Sequence, residues 1–80
     1  MNQCPCCKYY TIEGEGEYDI CKVCFWEDDP SGIIYPKEAV GANAISLNKA
    51  RKNYIEFGAS EKRFLSNVRS PLFEELVENN

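Results

Sequence analysis

Short apolar stretches alternate with glycine- and acid-rich punctuation through the first half of the chain, and one clear helical period follows in the second. Lys8, Tyr9, Tyr10, Thr11 and Ile12 are rich in β-formers, and Tyr18, Asp19, Ile20 and Cys21 alternate in the manner of a half-buried strand. Between them, Glu13-Gly14-Glu15-Gly16-Glu17 holds two glycines able to take the positive φ of a tight turn. The pattern predicts a β-hairpin, a unit that is marginal in water unless its ends are clamped. Residues 27–45 read as a loop, punctuated by Glu27, Asp28, Asp29, Pro30, Gly32, Pro36, Gly41 and Asn43. A loop of that length in a small domain is functional or pinned, and Ile33, Ile34 and Tyr35 could pin it as a short strand. The main helix is predicted over 46–58: Ser46 stands at the N-cap, no Gly or Pro interrupts 47–57, and Gly58 is the C-terminal stop. Leu47, Ala50, Tyr54 and Phe57 share one face, Ile55 widens it, and Lys49, Lys52, Asn53 and Glu56 lie mainly opposite. Short helical segments are predicted over 60–78, with Ser60 capping a turn through 61–65. Ser70 and Pro71 then open a last segment in which Leu72, Phe73, Leu76 and Val77 recur at helical spacing.

Eighty residues make one small domain, 1–80, and its apolar stock is thin: eighteen Leu, Ile, Val and Phe, one Trp and five Tyr. Chains of this size usually need a staple. No run of 18 apolar residues is present and the N-terminus lacks the charged and apolar regions of a signal peptide, so a cytoplasmic protein without membrane contact is expected. Nine bases stand against thirteen acids, giving a net charge of −4. The acids crowd residues 1–30 and the bases residues 43–69, so the chain is a dipole rather than a uniform polyanion.

The five cysteines offer the staple. Cys4 with Cys7 and Cys21 with Cys24 form two C-x2-C pairs separated by thirteen residues. Each pair can turn two sulfurs toward one point, and two such knuckles at the ends of a hairpin place four sulfurs in a tetrahedron, as in a zinc ribbon. Without histidine in the chain, the ligand set is all sulfur, and one Zn2+ is the leading assignment. An iron site of rubredoxin type uses the same geometry. Disulfides would leave one cysteine over, and a redox C-x-x-C wants a helix behind it in a βαβ context. Cys6 is the extra thiol, placed at the knuckle tip as an alternate ligand, a free reactive thiol, or a small apolar filler beside Phe25 or Trp26.

Cys4-Pro5-Cys6-Cys7, the run Cys21 to Asp29, Gly41-Ala42-Asn43 with Ser46-Leu47, and Ala50-Arg51-Lys52-Asn53 together resemble the small bacterial cysteine-rich CPCC family. The resemblance implies a compact zinc-ribbon-like domain followed by a helix and carries no established activity with it. The position after the first knuckle, often Gly in such proteins, is Lys8 here, and a non-Gly residue at positive φ costs roughly 1 kcal/mol. The fold class expected is thus a small α+β metal-stabilised domain, with a zinc-ribbon-like hairpin over 4–26, one main helix and a short C-terminal helix. Trp26 is expected to pack over the metal site and the helix. Glu27, Asp28 and Asp29 are expected to pair with Arg51 and cap the approach to the helix, or else to meet a second cation or a basic partner. Asn43 is assigned a backbone-bonding role.

For function, the absence of histidine and a coordinatively closed four-sulfur site argue against an enzyme. A protein-interaction role comes first, with Glu13, Glu15, Glu17, Glu27, Asp28 and Asp29 facing a basic protein partner; an inhibitor or immunity-type protein has this size and charge by analogy. The alternative is a nucleic-acid-binding ribbon using Lys49, Lys52, Arg63 and Arg69, with Tyr9 and Tyr10 to stack bases.

Overall fold

A computed structural model describes residues 1–77; position 78, assigned above to the C-terminal segment, lies outside the described residues. The elements in chain order are strands β1 (Asn2–Gln3) and β2 (Tyr10–Ile12), helices α1 (Pro30–Ile34) and α2 (Leu47–Phe57), and 3-10 turns over Lys62–Phe64 and Phe73–Glu75. They build a compact α+β arrangement with a two-stranded antiparallel hairpin and one main helix.

The strand pairing differs from the expected one. β2 pairs with β1, not with residues 18–21. The cause lies in the knuckle: Lys8 N–H donates to Cys4 O at 2.9 Å and Lys8 takes φ 73°, so the chain reverses at once and runs back beside the residues before Cys4. The second knuckle repeats the manoeuvre. Phe25 N–H donates to Cys21 O at 2.8 Å with Phe25 at φ 68°, and the arms meet through Cys21 N–H to Trp26 O and an Ile20–Glu27 bridge. Each C-x2-C is therefore the turn of its own hairpin, and the glycine-rich segment 13–17 connects the two. Within that connector only Gly16, at φ 67°, uses its conformational freedom.

Residues 27–45 are pinned by side chains other than those expected. Ile33 and Ile34 belong to α1, and with Tyr35 they are more than half exposed, so they form no strand and bury little. Asp29 caps α1 instead: Oδ1 accepts from Ser31 N–H at 2.9 Å and from its hydroxyl at 2.8 Å, while Oδ2 accepts from Ala42 N–H at 2.7 Å. These bonds hold its carboxyl below the ordinary carboxylate range, with the Ser31 N–H contributing most. Gly41 makes the closure possible, since it sits at φ 70° and a Cβ there would strike the Asp29 and Ser31 side chains.

α2 begins and ends where predicted, with Ser46 Oγ accepting from Lys49 N–H at 3.1 Å and Gly58 left-handed at φ 91°. Its buried face is Leu47, Ala50 and Asn53. Asn53 was expected outside, yet its Nδ2 donates to Ser60 O at 2.9 Å in the interior; Ile55, expected to widen the apolar face, is 87% exposed. A buried amide is tolerable because it satisfies a carbonyl that would otherwise be orphaned. Ser60 caps nothing with its side chain: the 3-10 turn Lys62–Phe64 starts after Glu61, without a side-chain cap. The expected last helix shrinks to one 3-10 turn behind Leu72, not Ser70. A few residues cannot nucleate a helix without burying a face, and Leu72, Phe73, Leu76 and Val77 stay largely exposed. The core combines Cys4, Cys6, Cys21 and Cys24 with Ile12, Val23, Trp26, Leu47 and Ala50.

Candidate metal centre

The two knuckle turns face one another. Cys4 and Cys24 Sγ are 3.6 Å apart and Cys7 and Cys21 Sγ 3.7 Å apart, and all four sulfurs lie within 4.8 Å of one another. A tetrahedral zinc with Zn–S bonds of about 2.3 Å requires sulfurs about 3.8 Å apart, whereas a disulfide requires about 2.05 Å. These two pairs therefore fit a four-sulfur ion site and no disulfide, and all five cysteines are free thiols. Cys4, Cys21 and Cys24 are buried, while Cys7 is partly accessible.

The chain reaches that geometry by using one local design twice. Cys4 N–H donates to Tyr9 O at 2.8 Å, as Cys21 N–H does to Trp26 O at 3.0 Å. The Lys8 and Phe25 backbones both adopt the left-handed turn that brings the sulfurs inward. Phe25 at this position was not anticipated, although its offset from Cys21 equals that of Lys8 from Cys4.

Donors converge on one sulfur. Cys21 Sγ meets Thr11 Oγ1 at 2.9 Å and the Val23 N–H at 3.4 Å. Hydrogen bonds from the neighbouring thiols of Cys24, Cys4 and Cys7, with Thr11 adding to them, pull the Cys21 thiol far below its ordinary range. Cys7 and Cys24 are pushed up chiefly by their bond to Cys21, with burial adding to it. A bound cation would favour the thiolate form of all four ligands. Thr11 was missed in the sequence, where it sits in an ordinary β-rich run. Its role follows from a bulge: Asn2 pairs with Ile12 and Gln3 with Tyr10, leaving Thr11 extra. Successive strand residues normally face opposite ways, but the bulge lets Thr11 and Ile12 both turn inward.

The remaining candidates are placed as follows. Cys6, expected at the knuckle tip as an alternate ligand, a free thiol or an apolar filler, is 4% exposed within the apolar core that also holds Trp26, the position of a filler. Trp26 is buried in the same cluster as Cys4, Cys6, Cys21, Cys24, Leu47 and Ala50; its indole Nε1 and the Ser60 hydroxyl are buried without partners among the described residues. Ser60 N–H holds Cys24 O at 2.8 Å. Arg51 pairs with none of Glu27, Asp28 and Asp29, contrary to expectation. Its Nε donates to Pro5 O at 2.9 Å and Nη1 reaches Asn48 Oδ1, so it ties α2 to the first knuckle. Asn43 bonds both ways with the Glu27 backbone, at 3.1 and 2.9 Å. Asp28 is buried and accepts from Gly16 N–H at 2.7 Å. Asp28 and Asp29 thus bond within the fold and present little surface to a partner, and neither caps α2. Glu13, Glu15 and Glu17 are exposed.

Of the four bases considered for nucleic acid, Lys49 and Lys52 are exposed on α2. Arg63 pairs with Glu61 at 3.0 Å, and Arg69 takes both oxygens of Glu75 at 2.8 and 2.9 Å. Tyr9 packs edge-on against Tyr54 at 6.3 Å. No helix among the described residues is long and apolar enough to cross a membrane. The family model described as Cysteine-rich CPCC matches residues 2–75, nearly the whole chain. A search of curated proteins returns no match.

Proposed function

We propose that this chain, which belongs to the cysteine-rich CPCC family, is a zinc-clamped, non-enzymatic interaction module that offers an acidic surface to a basic protein partner. The observation that carries the reading is the convergence of four sulfurs on one point from two hairpin turns. Four thiolates complete a tetrahedral shell and leave no position for substrate or water, which is the pattern of a structural rather than a catalytic zinc. Structural zinc in small peptides contributes on the order of 10–16 kcal/mol, more than the net stability of a typical small domain, about 5–15 kcal/mol. The ion therefore acts on the fold.

Exposed Glu13, Glu15 and Glu17 project from the connector between the hairpins, and they support the acidic-surface part of the reading. The nucleic-acid alternative has less support, since Arg63 and Arg69 are already engaged by Glu61 and Glu75 and the tetrathiolate adds negative charge to a chain at −4.

Elemental mass spectrometry on untagged protein tests the metal assignment; the expected result is one zinc per chain. A strong chelator should collapse the circular dichroism signal and the NMR dispersion, and an unchanged spectrum would refute the clamp. Capture of partners by wild type and by a variant with Glu13, Glu15 and Glu17 changed to Gln tests the surface; an identical partner set would refute it.

A further inference from the structure

The acidic connector has an opposite wall. A groove of about 540 Å³ is lined by Met1, by residues between Tyr10 and Lys22 and by the segment 69–75, a volume within the roughly 300–1,000 Å³ of ligand-binding clefts. Its apolar lining comes from Met1, Tyr10, Ile20 and Leu72, and Ile20 and Leu72 are 41% and 47% exposed. The second wall is built rather than draped: Glu75, 6% exposed, accepts from Leu72 N–H at 2.8 Å and holds Arg69 through both oxygens. These bonds keep the Glu75 carboxyl below its ordinary range, the Arg69 guanidinium being the main cause.

The charge of the groove identifies what fits it. Arg69 and Glu75 cancel in their bidentate pair. The lining then carries Glu13, Glu17, Asp19 and Glu74 against Lys22 and the amino-terminal residue Met1, an acidic excess of one dominant sign. Glu15, equally acidic and exposed, is not part of the lining. We infer that this groove is the docking site of the interaction module, and that its occupant is a short basic segment of a protein partner with an apolar side chain seated on Ile20 and Leu72. The inference rests on the acidic-surface reading above and narrows it: cations along the segment answer the carboxylates, and the apolar anchor supplies what charge alone does not, burial between two walls.

The test uses two blocked peptides of equal charge, Lys-Lys-Leu-Lys-Lys and Lys-Lys-Gly-Lys-Lys, titrated into zinc-loaded, 15N-labelled full chain. The leucine peptide should shift amides on both walls, Gly14 and Ile20 on one side and Leu72 and Glu75 on the other, and bind at least about fivefold tighter than the glycine peptide. Leu72→Ser, at an exposed position, should erase that fivefold difference. Glu13→Gln with Glu17→Gln should weaken both peptides roughly tenfold, and Glu15→Gln should change affinity less than about twofold. Equal affinities with shifts confined to residues 13–19 would overturn the groove while sparing the acidic-surface reading. Silence from both peptides at millimolar concentration would overturn both. Shifts at Leu72 that grow with protein concentration alone would assign the groove to a second copy of the chain and overturn the inference as well.

Discussion

The two knuckles share a backbone and differ in everything that supports it. Cys4 to Tyr9 and Cys21 to Trp26 close with the same pair of main-chain hydrogen bonds and the same left-handed residue four places after the first cysteine. The second knuckle, however, is embedded. Val23 and Trp26 are buried, the Phe25 ring lies 4.7 Å from that of Phe64, Ser60 holds Cys24 O, and Thr11 reaches Cys21 Sγ. The first knuckle carries exposed Lys8, half-buried Tyr9 and partly accessible Cys7, with Arg51 bonded to Pro5 O. A repeated local motif thus gives equal geometry without equal stability, because packing and not the turn decides how firmly each half is held.

The largest break in that comparison should come at the equivalent positions Tyr9 and Trp26. Trp26→Ala removes a fully buried indole and is expected to cost about 3–5 kcal/mol, and Tyr9→Ala about 1–2 kcal/mol, since Tyr9 is only partly buried and keeps some of its surface in water. Chemical denaturation of the zinc-loaded variants checks the ranking, and equal losses would show that the knuckles are supported alike. Trp26→Phe should cost much less than Trp26→Ala, because it also removes the unpartnered indole N–H.

Next comes the hydroxyl on Cys21. Thr11→Val keeps the shape and deletes the donor, and metal retention should weaken about 10- to 100-fold. Competition with a chromogenic chelator reads this directly; retention equal to wild type would reduce Thr11 to a packing role. Smaller effects of opposite sign are expected at the left-handed residues. Lys8→Gly relieves strain at a solvent-facing site and should stabilise by about 1 kcal/mol. Phe25→Gly relieves the same strain but forfeits the Phe64 contact and partly buried ring area, for a net loss of about 1 kcal/mol. Thermal melts of the pair at fixed zinc excess would expose a shared sign, which the comparison forbids. Last, Arg51→Ala should cost about 1 kcal/mol through its single bond to Pro5 O, with the chemical shifts of Cys6 and Cys7 moving more than those of Val23 and Cys24.

Where the sequence read well, the signal was local. Ser46 and Gly58 bound α2 because capping chemistry is settled within one turn, and the spacing of Cys4, Cys7, Cys21 and Cys24 brings four sulfurs together because a two-residue gap fits one tight turn. The hairpin was misread for an equally physical reason. Two β-rich stretches flanking Glu13–Glu17 look like partners, but the knuckles reverse the chain first and consume those strands as their own arms. The last helix failed because Leu72, Phe73, Leu76 and Val77 have the right spacing and no surface to cover them.

What the chain decided alone, then, is where it turns and which thiols can meet: cysteine spacing, caps and glycines act over distances of a few residues. Which acids face outward and which serve the interior was decided only by the tertiary structure. Asp28 and Asp29 bond to Gly16 and Ala42, twelve and thirteen residues away, while Glu13 and Glu17 come to line one groove with Leu72. Carboxylates are chemically alike along the sequence; burial and the nearest available N–H separate them, and both are set by parts of the chain that meet only when it folds.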